Sequence, residues 1–214
     1  MGASNKIEGN IPEGLFPGSL AYVDLSSNLL TGPVPTTVGD STELIELNLS
    51  NNDLSGLLST KIGGAANLAK LDLSSNGIEG EIPVELYDLT SLTELDISSN
   101  KFEGTIPVEI GQLTLLTALT LGKNKFTGDI QTEIGELTNL ELLSIEDVDI
   151  AGRFPREFAS LTKLVELVIK NTNVAGNIES DFGALPDLVT FDLSGNQIRN
   201  SLPEELGDLS SLSK

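Results

Sequence analysis

The chain of 214 residues contains no cysteine, no histidine and no tryptophan. Without cysteine it can form no disulfide, no thiolate nucleophile and no zinc-thiolate site. Without histidine it lacks the commonest general base and metal ligand, which also excludes a Ser-His-Asp triad. The sequence therefore predicts a protein that is not an enzyme and that uses no cofactor and no metal.

Basic residues are scarce as well, with 12 Lys and Arg against 32 Asp and Glu, for a formal net charge of −20. This balance opposes binding to nucleic acid or to an anionic membrane, because both partners need their phosphates neutralised. Spread through the chain, the acids also suit the solubility of an elongated molecule. No stretch reaches the roughly 18 apolar residues of a membrane span. We expect no nucleic-acid partner and no direct membrane insertion by this segment.

The chain does contain a repeat of 24 residues, written most clearly as LAKLDLSSNGIEGEIPVELYDLTS over residues 68–91. Leu71 and Leu73 alternate with Asp72, which predicts a short strand with both leucines turned inward. Asn76 ends the strand, since its amide group can satisfy backbone groups of a tight bend. Full coils begin at Leu20, Leu44, Leu68, Leu92, Leu116, Leu140, Leu164 and Leu188.

This pattern resembles the plant-type leucine-rich repeat family, whose repeat is written LxxLxLxxNxLxGxIPxxLgxLxx. The resemblance implies an α/β solenoid, a right-handed horseshoe with a concave parallel sheet and short 3₁₀ or irregular convex segments. A single coil cannot bury its leucines, whereas stacked coils about 4.8 Å apart join their interiors. We expect one domain over residues 1–214, with a partial repeat at 4–19, eight repeats at 20–211 and a truncated one at 212–214.

The resemblance also implies a function and a location. Plant-type members usually lie outside the cell, in receptor-like kinases, receptor-like proteins and polygalacturonase inhibitors, and bind peptides, proteins or carbohydrates. The expected function is therefore non-catalytic recognition of a peptide or protein on the concave sheet, as part of a longer cell-surface receptor-like protein. Secreted members usually carry cysteine-paired caps, which this chain lacks. A soluble inhibitor or a cytoplasmic interaction scaffold is the alternative.

Two columns of the repeat are expected to face outward from the concave sheet. The column before the second strand leucine is acidic in the early coils and neutral or apolar later, running Asp24, Asn48, Asp72, Asp96, Thr120, Ser144, Val168 and Asp192. The column two residues earlier runs Tyr22, Glu46, Lys70, Glu94, Ala118, Leu142, Glu166 and Thr190. Coils six and seven also lose the repeated asparagine, which is replaced by Val148 and Thr172.

These departures from the repeat predict a binding patch with an apolar centre and a rim of mixed charge, the usual anatomy of an interface. We call it the candidate patch; it consists of Ala118, Thr120, Leu142, Ser144, Glu146, Val168 and Lys170. Simple drift of the repeat, without a ligand, is the competing interpretation. Eight strands at about 4.8 Å span roughly 34 Å, which suits a peptide or a protein edge better than a small metabolite.

Aromatic residues make up only 4% of the chain, which limits the anchors that a binding surface could offer. Tyr22 is the only aromatic residue expected on the concave face. Six phenylalanines occupy repeat positions that are expected to face the core: Phe102, Phe126, Phe154, Phe158, Phe182 and Phe191. An acidic run of Glu146, Asp147 and Asp149 lacks the spacing and the glycine of a calcium loop, so it is better explained as a solvated turn.

Overall fold

The structure is a computed structural model that describes residues 2–16 and 18–213. Each full coil contributes a first strand, a second strand and a 3₁₀ turn, in that order. In chain order the strands are β1 Glu8–Asn10, β2 Tyr22–Asp24, β3 Leu29–Gly32, β4 Glu46–Asn48, β5 Asp53–Leu57, β6 Lys70–Asp72, β7 Gly77–Glu81, β8 Glu94–Asp96, β9 Lys101–Thr105, β10 Ala118–Thr120, β11 Lys125–Asp129, β12 Leu142–Glu146, β13 Asp149–Ala151, β14 Glu166–Lys170, β15 Ala175–Gly176, β16 Thr190–Asp192 and β17 Gln197–Ile198.

The helical segments of the described residues are all short 3₁₀ turns, which confirms that part of the expectation. They cover Glu13–Leu15, Thr36–Asp40, Thr60–Gly64, Val84–Asp88, Val108–Gln112, Thr132–Glu136, Arg156–Ser160, Ser180–Ala184 and Glu204–Asp208. In this part of the chain no helix is long and apolar enough to cross a bilayer.

The even-numbered strands from β2 to β16 form one parallel sheet of eight strands. It occupies the position expected for the concave side, and we call it the concave sheet. Residues 24 apart lie in register, as Leu47, Leu71 and Leu95 do across β4, β6 and β8. These leucines are buried, as are the leucines at the starts of the coils from Leu44 onward, whereas Leu20 is partly buried. The predicted solenoid with a parallel concave sheet is confirmed.

A second parallel sheet was not predicted. Strands β1, β3, β5, β7, β9, β11 and β13 form a seven-stranded sheet, and β15 pairs with β17 separately. From β3 onward, paired residues of the seven-stranded sheet lie 22 residues apart, as Ser55 and Gly77 do. The repeated glycine allows the strand to bend, since Gly80 has a φ of +82° that a side chain would strain. The segment around the repeated glycine was predicted only as a bend, but it also forms a strand that pairs with the same segment of the adjacent coils.

The repeated asparagine holds consecutive coils together. Asn100 is buried, and its Nδ2 donates to the carbonyl oxygens of Leu73, Ile97 and Ser98 at 2.8, 3.2 and 3.1 Å. Its Oδ1 accepts from the backbone N–H of Ile78 at 3.0 Å. One side chain thus satisfies backbone groups of its own coil and of the preceding coil, which have no sheet partner at the bend.

In the 3₁₀ turns, one position of the repeat requires a residue without a side chain in most coils. A Cβ on Gly39 would lie 1.8 Å from the carbonyl oxygen of Lys61, and one on Gly63 would lie 2.5 Å from that of Glu85. These glycines allow the 3₁₀ turns of neighbouring coils to approach closely. Tyr87 occupies the same repeat position in the third coil and is 1% exposed.

The hydroxyl of Tyr87 has no hydrogen-bond partner within the described residues. Burial, and to a smaller degree the Glu109 carboxylate, raise the pKa of Tyr87 far above its usual value. Replacing Tyr87 with phenylalanine removes a buried polar group that has no partner, so we expect the free energy of unfolding to rise by about 1 kcal/mol. Urea denaturation measures this change. Tyr22→Phe is the control, because Tyr22 is 61% exposed and should leave stability unchanged. A loss of stability in Tyr87→Phe would contradict the prediction.

The phenylalanines largely follow the expectation. Phe102 and Phe126 are fully buried and stack with ring centroids 6.4 Å apart. Phe154 contacts Phe182 at 5.0 Å between centroids. Phe191 packs against the core and stacks on Phe182, but it is only partly buried. Its strand β16 lies at the edge of the concave sheet, where only one strand packs beside it.

Candidate functional site

The two columns expected on the concave sheet are aligned as the spacing requires. Ala118 lies in register with Glu94 on one side and with Leu142 on the other. Ser144 pairs with Val168, and Glu146 pairs with Lys170. Each of the seven candidate-patch residues is half-buried in β10, β12 or β14. The sheet thus brings all seven onto adjacent strands.

The acidic column has a structural role that the sequence did not reveal. The Oδ1 of Asp72 accepts from the backbone N–H of Ser74 at 2.9 Å and from its hydroxyl at 2.7 Å. Asn48 makes the same pair of bonds to Ser50. These bonds take an N–H that a continuing strand would use, and the strands end at Asp72 and Asn48.

Strands lengthen where both the capping residue and the repeated asparagine are missing. β12 and β14 have five residues, whereas β10, which keeps Asn124, has three. Val168 has no acceptor with which to cap the chain, and Val148 and Thr172 stand where the asparagine is expected. Pairing therefore continues to Glu146 and Lys170. The change in sequence extends the outward-facing surface.

The candidate patch has a short apolar centre. Ala118, Leu142 and Val168 lie on three consecutive strands and are half-buried on a face otherwise lined by charged and polar side chains. Beside them Glu146 forms an ion pair with Lys123, with 3.1 Å between Nζ and Oε1. The patch therefore combines an apolar centre with a charged rim.

A shallow hollow of about 210 Å³ adjoins the apolar centre. It lies where Ala118, a short side chain, stands between Glu94 and Leu142 in the same column. Its lining residues are Lys70, Leu71, Asp72, Glu94, Leu95, Asp96, Ala118, Thr120 and Leu142. Three of these belong to the candidate patch. The acidic side of the hollow was not predicted, although the in-register acids of the two columns are visible in the sequence.

The carboxylates of the acidic column differ in their surroundings. Hydrogen bonds from Ser26 lower the pKa of Asp24, which lies at the edge of the sheet. Burial raises the pKa of Asp96 despite a hydrogen bond from the N–H of Ser98, and the neighbouring Asp72 raises it further. The hollow therefore holds a carboxylate whose charge is poorly solvated.

The acidic run beside the patch is engaged in hydrogen bonds between coils. Asn171 donates to Asp147 at 2.7 Å, and Asn173 donates to Asp149 at 2.5 Å. Among residues 2–16 and 18–213 no group of three or more acidic side chains is placed to hold a metal ion.

A larger hollow of about 530 Å³ opens where the second sheet is interrupted after β13. Arg153 and Arg156 line it together with Asp129, Glu157 and Glu179. Arg156 lies 3.7 Å from Glu157 between Nε and Oε1. Opposite charges thus lie side by side in this hollow, next to the apolar side chains of Ile130, Phe154 and Pro155.

Stacked coils, a ladder of asparagines and an open parallel sheet define a repeat solenoid that presents one broad face. Sequence comparison then gives the family. Profiles described as leucine rich repeat match residues 18–78, 42–102, 66–126 and 187–209. The chain belongs to the leucine-rich repeat family. None of the curated proteins matches it.

Solved structures give the same result. The Arabidopsis receptor kinase HAESA, in complex with the peptide hormone IDA and the co-receptor SERK1, is 32% identical over 97% of this chain and 39% of that one, with a TM-score of 0.86. The ectodomain of the Arabidopsis thaliana receptor kinase GASSHO1/SCHENGEN3, in complex with CASPARIAN STRIP INTEGRITY FACTOR 2, is 28% identical over 98% and 28%, with a TM-score of 0.78. A Leptospira interrogans LRR protein is 31% identical over 95% and 56%, with a TM-score of 0.72. The chain thus spans between about a quarter and just over half of these relatives.

Proposed function

We propose that this chain is a recognition module that binds an extended peptide, or the edge of a protein, across its concave sheet and catalyses no reaction. Binding is centred on the candidate patch, which comprises Ala118, Thr120, Leu142, Ser144, Glu146, Val168 and Lys170. One observation carries the proposal: half-buried apolar side chains lie on three adjacent strands of a sheet face that no other described element covers. Such a centre inside a charged rim suits the core of an interface.

The dimensions of the sheet favour a peptide over a small molecule. Eight strands spaced about 4.8 Å apart span roughly 34 Å, which an extended chain of about ten residues covers at about 3.3 Å per residue. The hollow of about 210 Å³ is small and open toward one side, so it suits one side chain of a longer ligand. Two of the similar structures, those of HAESA and GASSHO1, were determined with a peptide hormone and with CASPARIAN STRIP INTEGRITY FACTOR 2 respectively.

The cellular context is part of the same proposal. We place the chain outside the cell, as a segment of a longer receptor-like protein, because the plant receptor kinases above share its fold and are 28% and 32% identical to it. A soluble inhibitor or a cytoplasmic scaffold is the alternative. Labelling of intact cells with a membrane-impermeant amine reagent separates a cell-surface chain from a cytoplasmic one, since labelled lysines are expected only for the cell-surface chain.

Selection from a random library of displayed peptides about ten residues long tests the binding proposal. Leu142→Asp combined with Val168→Asp places two charges in the apolar centre, so we expect selected peptides to bind this variant at least about tenfold more weakly, ~1.4 kcal/mol. Titration calorimetry measures the affinities. Leu57→Asp is the control, because Leu57 is 68% exposed on the second sheet and should leave binding unchanged.

Two results contradict the proposal. If the selected peptides bind the double variant as tightly as they bind the unchanged chain, the binding surface lies elsewhere. A library that yields no binding peptide shows that the altered coils arose by drift of the repeat. Circular dichroism and thermal unfolding of each variant confirm that the solenoid is intact before its affinities are compared.

A further inference from the structure

The hollow on the concave sheet has two chemically different walls. Leu142 and Ala118 form an apolar wall, and Asp72 and Asp96 lie across from them on neighbouring strands. The space exists because the column passes from Glu94 to Ala118, which loses a long side chain. The hollow therefore offers aliphatic contact and carboxylates to the same group.

The charges of the hollow do not cancel. Lys70 is paired with Glu94 in an ion pair at the lip, which leaves the carboxylates of Asp72 and Asp96 without a cationic partner within 4 Å among the described residues. Asp72 accepts hydrogen bonds from the N–H and the hydroxyl of Ser74, and Asp96 accepts one from the N–H of Ser98. The chain as a whole carries a net charge of −20, which adds to the attraction of a cation.

We propose that the hollow receives a lysine or arginine side chain of the peptide ligand. This inference rests on the proposed function and names the chemistry of the ligand. The aliphatic part of the basic side chain lies along Ala118 and Leu142, and its charged end meets Asp72 and Asp96. Lysine and arginine combine an apolar stem with a charged head, which matches the two walls. Charge complementarity on an otherwise open sheet face is the observation that selects this occupant.

The register of the sheet also fixes a spacing within the ligand. Ala118 in β10 and Val168 in β14 lie two strands apart. Two strand spacings are about 10 Å, which an extended peptide crosses in about three residues. A ligand that places its basic residue in the hollow therefore places an aliphatic residue on Val168 about three positions away.

The experiment uses the peptides selected in the library described above. Asp72→Asn combined with Asp96→Asn removes both charges and keeps an oxygen for the capping bonds, as Asn48 does naturally in the same column. We expect the affinity for selected peptides to fall about tenfold, and to lose most of its dependence on salt. Asp24→Asn is the matched control, because Asp24 belongs to the same column but lies outside the hollow.

Sequencing of the selected pool gives the second measurement. Peptides should be enriched in lysine or arginine about three positions from an aliphatic residue. Peptides that depend on Leu142 and Val168 but show no basic enrichment, and bind the doubly substituted Asn variant unchanged, overturn this inference and leave the proposed function standing. Absence of any binding peptide overturns both.

Discussion

Gly39→Ala is expected to lower the free energy of unfolding by about 3 kcal/mol, the cost of an extra methyl group forced into a fully packed contact. The added Cβ would lie 1.8 Å from the carbonyl oxygen of Lys61, a backbone atom of the next coil. Either the two coils move apart or the 3₁₀ turn deforms. Urea denaturation measures the loss, and amide hydrogen exchange locates it in the first two coils, since repeats interact mainly with their neighbours.

Gly207→Ala supplies the matched control. Gly207 occupies the same repeat position as Gly39, but no atom lies within 4 Å of the Cβ that it would carry. Its φ lies outside the left-handed region, so alanine can adopt it, and the substitution should be neutral or stabilise by about 0.5 kcal/mol. Equal destabilisation in both variants would show that the backbone, and not the contact between coils, requires glycine.

This glycine column shows what the sequence could and could not provide. The 24-residue spacing and the alternating leucines were enough to predict the solenoid, the concave sheet and its two outward columns, because each follows from the period of a strand. They were not enough to show how closely the 3₁₀ turns approach, which depends on the packing of one coil on the next. Tyr87, in the same column, appeared in the sequence as an ordinary repeat residue.

The second sheet shows the same limit. The run IEGEI around Gly80 has the alternation of a strand, since Ile78 and Ile82 are buried while Glu79 and Glu81 are exposed. Whether this run forms a strand depends on a pairing partner 22 residues away, a spacing that differs from the 24-residue repeat. Sequence reasoning that applies one spacing to the whole coil misses this pairing.

Part of the candidate site could be predicted from the sequence. Loss of charge at Ala118 and Leu142 and loss of the repeated asparagine at Val148 could be read from the columns. The hollow could not, because it depends on the length of one side chain relative to its neighbours across three strands. The capping role of Asp72 could not be predicted either, since the sequence was equally consistent with a solvated carboxylate or a ligand-binding one. Only its bonds to Ser74 show that it ends the strand.

Asn100→Ala is expected to cost about 4 kcal/mol, because it leaves several buried backbone groups without partners. Three carbonyl oxygens, including those of Leu73 and Ile97, lose a donor, and the N–H of Ile78 loses its acceptor. The neighbouring Asp96 takes the N–H of Ser98, so the strand cannot lengthen to replace these bonds.

Coils six and seven explain why such a loss is tolerated elsewhere in the same chain. They carry Val148 and Thr172 at this position, and there β12 and β14 continue pairing through Glu146 and Lys170. Asn67→Ala is the control for Asn100→Ala, since Asn67 is exposed and makes one bond, to the carbonyl oxygen of Thr42 at 2.7 Å. We expect it to cost less than about 1 kcal/mol in urea denaturation. Similar losses for the two variants would mean that the ladder adds no more stability than a surface hydrogen bond, and that the stacked leucines alone hold the coils together.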